Sequence, residues 1–375
     1  MSVNQQNLPE SGNSISNNFP PVTKSSFWKR LMQRFRMLRR FLGYYRLQKM
    51  LSGFYVAQTI SETAKLGLAD HLNDSAKSCE TLASEMDVDV NSLIYLMRIL
   101  TKLGIVSMAK NGNYKLTALG SYLRANNPNS IRGTILSLSD MVAPAWGNLS
   151  HSIKTGKAAF DDTFQMTMYE YLDQNQKANT HFNQWMEETT REWIIPTLDM
   201  WDLSKVKTVV DVGGNTGMLS AMILNEYPNL QGILFDQEYV VSDAEKLLES
   251  AGVANRCQVI GGNFFESVPA GGNLYIISRV LLNWDDEHAL KILKNCRAAM
   301  VSSAKLLIID FVLANKGANT FSLLGTLNSL VLSGRLMRTE NEYYELLDKA
   351  GFQSPKLIKT GGMLSFIEAV PTQKF

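Results

Sequence analysis

The residues best suited to chemistry lie in a glycine-rich turn, Asp211-Val212-Gly213-Gly214-Asn215-Thr216-Gly217, between an apolar segment and a helical one. Glycine has no Cβ, so the backbone of such a turn approaches a ligand closely. Ordinary tight turns have similar sequences, and the residues that follow are needed to decide. Asp236 ends the next apolar segment, where a carboxylate accepts both hydroxyls of a cofactor ribose or, alternatively, caps a helix. Together the two features predict a site for a nucleotide-like cofactor.

Two later turns extend this pattern. The third apolar segment runs into Gly261-Gly262-Asn263-Phe264-Phe265, which places an amide and an aromatic ring where an adenine would fit; a plain turn is the alternative. The fourth segment ends at Ser278-Arg279, and the acidic run Asp285-Asp286-Glu287 follows it. Because the helix dipole favours carboxylates at an N-terminus, we interpret this run as helix caps rather than as catalytic groups.

The elements that must position these turns alternate between strand and helix. Apolar segments typical of buried strands occur at residues 208–212, 232–235, 258–260, 274–278 and 306–311, with helical patterns between them. This alternation predicts an α/β domain, a parallel sheet with helices on both faces. Two further segments, residues 356–358 and 364–369, flank Gly361-Gly362 and predict a closing hairpin.

A different pattern precedes this domain. Helical patterns occur at residues 54–71, 78–86 and 90–103, and residues 105–117 predict a hairpin that turns at Asn111-Gly112. This order is typical of a winged helix. Its candidate recognition helix offers only Arg98 and Lys102 to phosphates. We therefore expect a structural role and no nucleic acid partner.

The N-terminal segment changes character near residue 24. Residues 1–23 are rich in Asn, Gln, Ser and Pro and predict a disordered leader. Residues 24–49 contain nine cations and no acidic residue, and apolar side chains recur at helical spacing: Trp28, Leu31, Phe35, Leu38, Leu42 and Tyr45. Two interpretations of this basic amphipathic helix stay open. We favour packing against a partner subunit over contact with an anionic membrane surface.

Composition narrows the classes of protein. The chain has 375 residues, 45% of them hydrophobic, and is long enough for two cores. Its net charge of +2 is no signature of a polyanion-binding protein. The cysteines lack C-x-x-C spacing and the four histidines form no ligand pattern, so we expect neither a disulfide framework nor a metal. The sequence shows no secretory signal and no run of membrane-spanning length, and we expect a cytoplasmic protein, with peripheral membrane contact as the alternative.

The predicted organisation has five parts. They are the leader (1–23), the basic helix (24–49), the winged-helix domain (50–130), a helical region (131–200) and a Rossmann-like domain (201–375). In the helical region, Trp146, Trp185 and Met186 are typical of core packing or, alternatively, of a roof over a flat apolar substrate.

Longer stretches resemble a known family. VVDVGGNTGMLS, ILFDQ, VIGGNFFESVPAGGNLYIISRVLLNWDDEHALKILKNCRAAM and RTENEYYELLDKAGF are similar to the plant-type and bacterial small-molecule O-methyltransferases with an N-terminal dimerisation domain. The resemblance spans about residues 50–370. It implies a homodimer formed through the winged-helix region, and an acceptor pocket bordered by the helices that carry Trp146, Trp185 and Met186. It also implies an S-adenosylmethionine site lined by Asp211, Gly213, Gly214, Asp236, Asn263, Phe264 and Arg279.

The sequence departs from the family pattern at the catalytic positions. The family has V-L-H-D-W, in which the His is the general base; here Leu282 takes that position and Asn283 follows. Met337 replaces the acidic residue that orients the His, whereas Asp310 matches a second acidic position. Asn283 and Asp310 are therefore the remaining candidates for a catalytic role.

The missing base leaves three interpretations. Positioning an aligned nucleophile lowers a barrier by roughly 7–11 kcal/mol, whereas a general base typically adds about 100- to 10,000-fold. We favour methyl transfer to an already acidic or activated hydroxyl of a small aromatic or lipophilic secondary metabolite or pigment. The alternatives are transfer to an electron-rich carbon, and a cofactor-binding enzyme of hydroxylase or cyclase type that does not methylate.

Overall fold

The computed structural model describes residues 24–72, 75–242, 244–314 and 317–373, and the leader predicted at residues 1–23 lies outside these ranges. The chain divides into two units, residues 1–57 and 58–375. Within the described ranges, no helix is both long enough and apolar enough to cross a membrane.

One continuous helix, α1 (Lys24–Lys65), replaces two elements of the sequence prediction. The prediction of a basic helix ending at residue 49 and a separate helix starting at residue 54 is wrong at this point. No proline occurs between residues 24 and 65, and Gly53 lies inside the helix without ending it. The helix ends two residues before Gly67, which has a φ of +65°.

The helices predicted at residues 78–86 and 90–103 and the hairpin are present, whereas the helix predicted at residues 54–71 is divided between α1 and a separate short helix. The elements after α1 are α2 (Leu68–His71), α3 (Cys79–Met86), α4 (Val90–Lys102), β1 (Val106–Met108) and β2 (Tyr114–Leu116). Ser78 and Asp89 cap α3 and α4 by accepting hydrogen bonds from backbone N–H groups of the first turn. Leu82, Met97 and Leu100 are fully buried in the core of this region.

Short helices connect this region to the sheet. They are α5 (Arg132–Ser137), α6 (Ala143–Gly147), α7 (Leu149–Thr155), α8 (Ala159–Phe164), α9 (Met168–Gln174) and the longer α10 (Gln176–Trp193). Met141, Phe160, Met168 and Leu172 pack together and against Val331 from a later helix. These helices therefore form a core of their own beside the sheet.

The C-terminal part is an α/β domain, which confirms the predicted fold class. Its strands are β3 (Thr208–Val212), β4 (Gln231–Asp236), β5 (Cys257–Gly261), β6 (Leu274–Ser278), β7 (Lys305–Asp310), β8 (Phe352–Lys359) and β9 (Ser365–Pro371). Its helices are α11 (Met218–Glu226), α12 (Glu238–Val241), α13 (Ala244–Ser250), α14 (Asp286–Ala299), α15 (Thr320–Ser333) and α16 (Glu340–Lys349). Asp285 caps α14 by accepting from the His288 N–H, as the acidic run predicted.

The strand order sets the position of a crevice. In the described part of the chain the seven strands lie in the order β5-β4-β3-β6-β7-β9-β8, and β9 runs antiparallel to β7 and β8. Alternate residues point to opposite faces, so Val210 and Tyr275 join one apolar cluster while Val209 and Ile276 join the other. The parallel neighbours β4 and β6 lie on either side of β3, which makes β3 the point where the order reverses.

Candidate active site

A cavity of about 180 Å³ lies at the carboxyl ends of β3, β4 and β6. Open α/β sheets bind ligands at this edge, where the strand order reverses. The strand ends contribute Asp211, Gly213, Gly214, Asp236, Ser278 and Arg279, and α10 contributes Asn179, Phe182, Asn183, Met186, Glu187 and Thr190. Tyr169, Phe264, Asn283 and Trp284 also line the cavity. The site is thus built from both the sheet and the helices that precede it.

The glycine-rich turn after β3 packs so closely against neighbouring side chains that two of its positions have no space for a Cβ. Gly213 has a φ of +73°, and a Cβ added to it would lie 2.6 Å from a methyl group of Val280. A Cβ on Gly214 would lie 2.7 Å from the carboxyl group of Asp211. Both positions therefore require glycine for steric reasons, and the backbone stays open to the cavity.

Asp211 places a buried carboxylate at the start of this turn. Its Oδ2 accepts a hydrogen bond of 2.9 Å from the Ser220 hydroxyl, and its Oδ1 is buried without a partner in the structure. Burial raises the pKa of the Asp211 carboxyl to about 6, and the hydrogen bond from Ser220 opposes this shift. A ligand that donates a hydrogen bond or carries a positive charge would satisfy Oδ1.

Asp236 ends β4 beside the same turn. Its Oδ2 accepts from the Asn215 N–H at 2.9 Å, and its Oδ1 accepts from the Gln237 N–H at 2.7 Å. These bonds fix the orientation of the carboxylate, while burial raises its pKa. Each carboxylate oxygen can accept more than one hydrogen bond, so Asp236 can still bind hydroxyl groups in the cavity.

Arg279 links the end of β6 to α10. Its guanidinium donates to the Thr189 hydroxyl at 2.5 Å, to the Thr190 hydroxyl and to the Met186 carbonyl at 3.3 Å. Burial lowers the pKa of the guanidinium to about 10, so the group stays charged near neutral pH. Arg279 Nε and Ser278 Oγ are buried without partners and line the same cavity. This residue therefore holds α10 in place and retains a free donor.

Aromatic and amide groups form another part of the cavity wall. The rings of Tyr169 and Trp284 lie parallel with centroids 6.0 Å apart, and Phe264 packs edge-on against Trp284. Asn283 donates from Nδ2 to the Arg279 carbonyl at 3.2 Å. Burial raises the pKa of the Tyr169 hydroxyl, and the nearby negative charge of Asp236 raises it further. Tyr169 therefore stays protonated and can donate a hydrogen bond. This wall suits a flat ligand with a polar substituent.

Comparisons with known proteins identify this architecture. Residues 146–353 match the O-methyltransferase domain and residues 48–126 match the O-methyltransferase dimerisation domain. The chain belongs to the O-methyltransferase family. It is 35% identical over 325 residues to a phenazine O-methyltransferase of Lysobacter antibioticus, a match that covers 87% of this chain and 95% of the relative.

Solved structures agree with this assignment. The mitomycin 7-O-methyltransferase superimposes with a TM-score of 0.82 at 28% identity, over 90% of this chain and all of that one. A methyltransferase of calicheamicin biosynthesis, in its S-adenosylhomocysteine-bound form, superimposes with a TM-score of 0.75 at 28% identity, over 89% of this chain and 99% of that one. This O-methyltransferase uses S-adenosylmethionine as its cofactor.

The residues present fit that cofactor. S-adenosylmethionine carries an ammonium group and ribose hydroxyls as hydrogen-bond donors and a carboxylate as an acceptor. The unpartnered Asp211 Oδ1 and the fixed Asp236 carboxylate supply acceptors, while Arg279 Nε and Ser278 Oγ supply donors. When bound, the cofactor supplies a methyl group activated by its sulfonium. The structure brings together Asp211, Gly213, Gly214, Asp236, Phe264 and Arg279 of the predicted cofactor residues.

Other predicted site residues lie elsewhere. Asn263 is not among the described residues that line the cavity; its Oδ1 accepts from the Phe265 N–H at 2.9 Å and its amide donates to Glu266. Of the predicted acceptor-pocket residues, Met186 lines the cavity. Trp146 donates to Asn328 at 2.7 Å and Trp185 packs edge-on against a neighbouring ring, so both belong to the adjoining apolar cluster.

Asp310 lies behind the site rather than in its wall. The side chain is fully buried, and its oxygens accept from the backbone N–H groups of Leu282 at 3.2 Å and Phe311 at 2.9 Å. Burial raises its pKa to about 6. Arg338 donates to carbonyl groups of the same turn, those of Leu281 and Trp284. Asp310 therefore fixes the short turn that carries Asn283 instead of contacting a ligand.

Sequence reasoning assigned Trp185 and Met186 of α10 to the acceptor pocket, but it missed the polar residues of α10 and the contribution of α9. Asn183 accepts from Asn215 at 3.2 Å, and Glu187 accepts from the Thr216 hydroxyl at 2.7 Å, so α10 binds the glycine-rich turn directly. Burial raises the pKa of the Glu187 carboxyl. One sequence pattern could have revealed this contribution. Polar side chains recur every four residues along one side of α10, at Asn179, Asn183 and Glu187. Tyr169 on α9 had no such signal.

Proposed function

We propose that this enzyme transfers a methyl group from S-adenosylmethionine to a hydroxyl group of a small aromatic or lipophilic secondary metabolite. The observation that carries the proposal is the shape of one cavity. It combines acceptors and donors for the cofactor, centred on Asp211 and Asp236, with the flat wall of Tyr169 and Trp284. The named relatives act on phenazine and mitomycin, which supports a fused-ring acceptor.

In this proposal the protein positions the acceptor and does not deprotonate it. Tyr169, kept protonated by burial, donates a hydrogen bond to the acceptor oxygen. The Asn283 side chain, anchored through Arg279, provides an amide oxygen that accepts from the hydroxyl while it remains protonated. Neither group is a base near neutral pH, and positioning alone contributes several kcal/mol to methyl transfer. The acceptor therefore needs a hydroxyl that ionises easily by itself.

We further propose that the enzyme is a cytoplasmic homodimer formed through its dimerisation domain. The support is the match of residues 48–126 to that domain. Residues 24–47 of α1 precede both matched ranges, and we propose that they act either in the dimer or at a membrane surface.

The test is product analysis with deuterated S-adenosylmethionine and a panel of hydroxylated phenazines, naphthoquinones and simple phenols. NMR correlation of the transferred methyl group with the ring identifies the methylated atom. We expect O-methyl products, and a 10- to 100-fold lower kcat/KM for Tyr169→Phe with unchanged cofactor affinity, as expected for one hydrogen bond to the acceptor. The exposed Tyr122→Phe variant is the matched control.

Two results would contradict the proposal. A methyl group attached to ring carbon in the products would favour the C-methyltransferase alternative. Tight binding of S-adenosylmethionine with no methylated product, together with hydroxylated or cyclised products, would favour the alternative in which the enzyme does not methylate.

A further inference from the structure

Helix α1 carries two rows of apolar side chains. The first row is Trp28, Leu31, Phe35, Leu38, Leu42 and Tyr45; the second row is Met37, Phe41, Tyr44, Leu47, Leu51 and Phe54. Within each row the spacing is three or four residues, so each row follows one side of the helix. At about 100° per residue the two rows lie on opposite sides. Apart from the half-buried Leu31, these side chains are 49–65% exposed.

The two rows differ in where they lie relative to the matched family domains. The second row continues to Leu51 and Phe54, inside the residues that match the dimerisation domain. It is therefore the row that the proposed homodimer would cover. The first row ends at Tyr45 and lies wholly outside both matched ranges. Continuity with the matched domain thus favours the second row for the dimer and leaves the first row for a different occupant.

The cations point to the chemistry of that occupant. Lys29, Arg36 and Arg40 lie on the side opposite to the first row, and Arg34 and Arg39 lie along its borders. Residues 24–61 contain no Asp or Glu to balance them. A nucleic acid would neutralise the cations but leave the aromatic and leucine side chains in water. An anionic lipid surface accommodates both features.

We propose that the first row, residues 28–45 of α1, binds the surface of a membrane that contains anionic phospholipids. The apolar side chains enter the boundary between headgroups and acyl chains, and the ring-bearing residues Trp28 and Tyr45 sit at the two ends of the row. Arg34 and Arg39 extend along the helix to lipid phosphates. The cations on the opposite side of the helix lie about one helix diameter, roughly 10–12 Å, farther from the surface, so salt screens most of their attraction. Membrane binding places the catalytic domain where lipophilic acceptors concentrate.

Vesicle flotation of the full-length enzyme tests the proposal. The vesicles contain phosphatidylcholine alone or phosphatidylcholine mixed with phosphatidylglycerol. We expect flotation with the mixed vesicles at low salt, a loss of flotation at high salt, and little binding to phosphatidylcholine alone. The double variant Arg34→Gln/Arg39→Gln should lower the partition coefficient about fivefold for each cation removed.

Matched variants distinguish the two rows. Phe35→Ser/Leu38→Ser in the first row should abolish flotation while light scattering still shows a dimer. Phe41→Ser/Leu47→Ser in the second row should retain flotation and weaken the dimer. Circular dichroism and methyl transfer to a soluble acceptor check that each variant is folded, and they separate this proposal from the catalytic one.

Three results would overturn the membrane proposal. The first is no flotation of the wild-type enzyme with phosphatidylglycerol vesicles at low salt. The second is equal flotation with neutral vesicles. The third is a monomeric Phe35→Ser/Leu38→Ser variant beside a dimeric Phe41→Ser/Leu47→Ser variant, which would assign the first row to the partner subunit.

Discussion

Replacing Asp211 by Asn should stabilise the empty enzyme and weaken its cofactor site. The Asp211 side chain is 1% exposed, one of its oxygens has no hydrogen-bond partner, and burial raises its pKa to about 6. A folded-state pKa above the unfolded value of about 3.9 means that the ionised carboxylate costs folding free energy. The cost is absent below about pH 4, grows up to about pH 6 and is constant above it. Two pKa units correspond to about 3 kcal/mol, and we expect a gain of roughly 1–3 kcal/mol at pH 7.5.

Urea denaturation of the empty proteins at pH 7.5 and pH 5 measures this effect. The gain of Asp211→Asn over the wild type should fall by about half at pH 5, where the wild-type carboxyl is mostly protonated in the folded state. Asp202→Asn is the control, because the hydrogen bonds from Ser204 lower the pKa of the exposed Asp202 carboxyl. That variant should show no gain.

Titration with S-adenosylhomocysteine completes the test. Wild-type affinity should fall about tenfold between pH 7 and pH 5, because a protonated Asp211 no longer attracts an ammonium group. Asp211→Asn should bind weakly and show a flatter pH dependence. An Asn variant that is no more stable than the wild type at pH 7.5, or that binds with the wild-type pH dependence, would show that Asp211 is not a destabilising carboxylate kept for the cofactor.

Three further substitutions test the site and its support. Asp236→Ala should weaken S-adenosylhomocysteine binding by roughly 10- to 100-fold in calorimetric titration, since it removes charged hydrogen-bond acceptors; unchanged affinity would exclude Asp236 from the site. Gly214→Ala should lower both that affinity and the melting temperature, because its Cβ would lie 2.4 Å from Leu234 and has no space. Arg338→Met should lower the free energy of unfolding by about 2–4 kcal/mol in urea, because the carbonyl groups at residues 281 and 284 lose their donors; a loss of activity with unchanged stability would contradict this structural role.

The cofactor site at the carboxyl ends of the strands could be predicted from sequence because it depends on short, local sequence patterns. Each strand of the sheet is a short apolar segment, and the residue at its carboxyl end falls at the common edge of parallel strands. Asp211 and Asp236 end neighbouring strands and therefore meet at the cavity. The glycine-rich turn between them can be recognised from its own seven residues, without knowing which distant residues it contacts. The steric role of Gly214, by contrast, becomes visible only with Leu234 in place.

Sequence reasoning missed contacts between distant segments, and it misjudged two features that depend on local backbone interactions. Glu187 reaches the site because α10 packs beside the glycine-rich turn, which lies about 30 residues farther along the chain. Hydrophobic periodicity describes single elements and does not predict such a contact between two of them. The family resemblance implied a cofactor contact for Asn263, but its side chain accepts from the backbone N–H two residues ahead, a local bond typical of Asn in turns. The helix break predicted near residue 50 is absent: the two glycines of α1, Gly43 and Gly53, each lower helix propensity by only about 1 kcal/mol, which is too little to end a long helix.

The pH dependence of the reaction tests the idea that the enzyme has no general base. No histidine occurs among the described residues that line the cavity, Tyr169 remains protonated, and Asp310 is committed to backbone N–H groups. At saturating acceptor, kcat for a phenol with a pKa near 10 should rise about tenfold per pH unit from pH 7 to 9. A more acidic phenol should instead reach a plateau at its own pKa, so the inflection should follow the acceptor and not the enzyme.

Glu187 is the residue most able to act as a general base, in contrast to the expectation that the enzyme has none. Its carboxyl lines the cavity, and burial raises its pKa, so it is the described carboxylate outside the cofactor-binding pair most able to accept a proton there. The Glu187→Gln variant should keep the hydrogen bond from Thr216 and leave the pH profile of kcat unchanged. A profile with the same inflection for every acceptor, lost in Glu187→Gln, would identify Glu187 as the base that replaces the family's histidine and would refute catalysis by positioning alone.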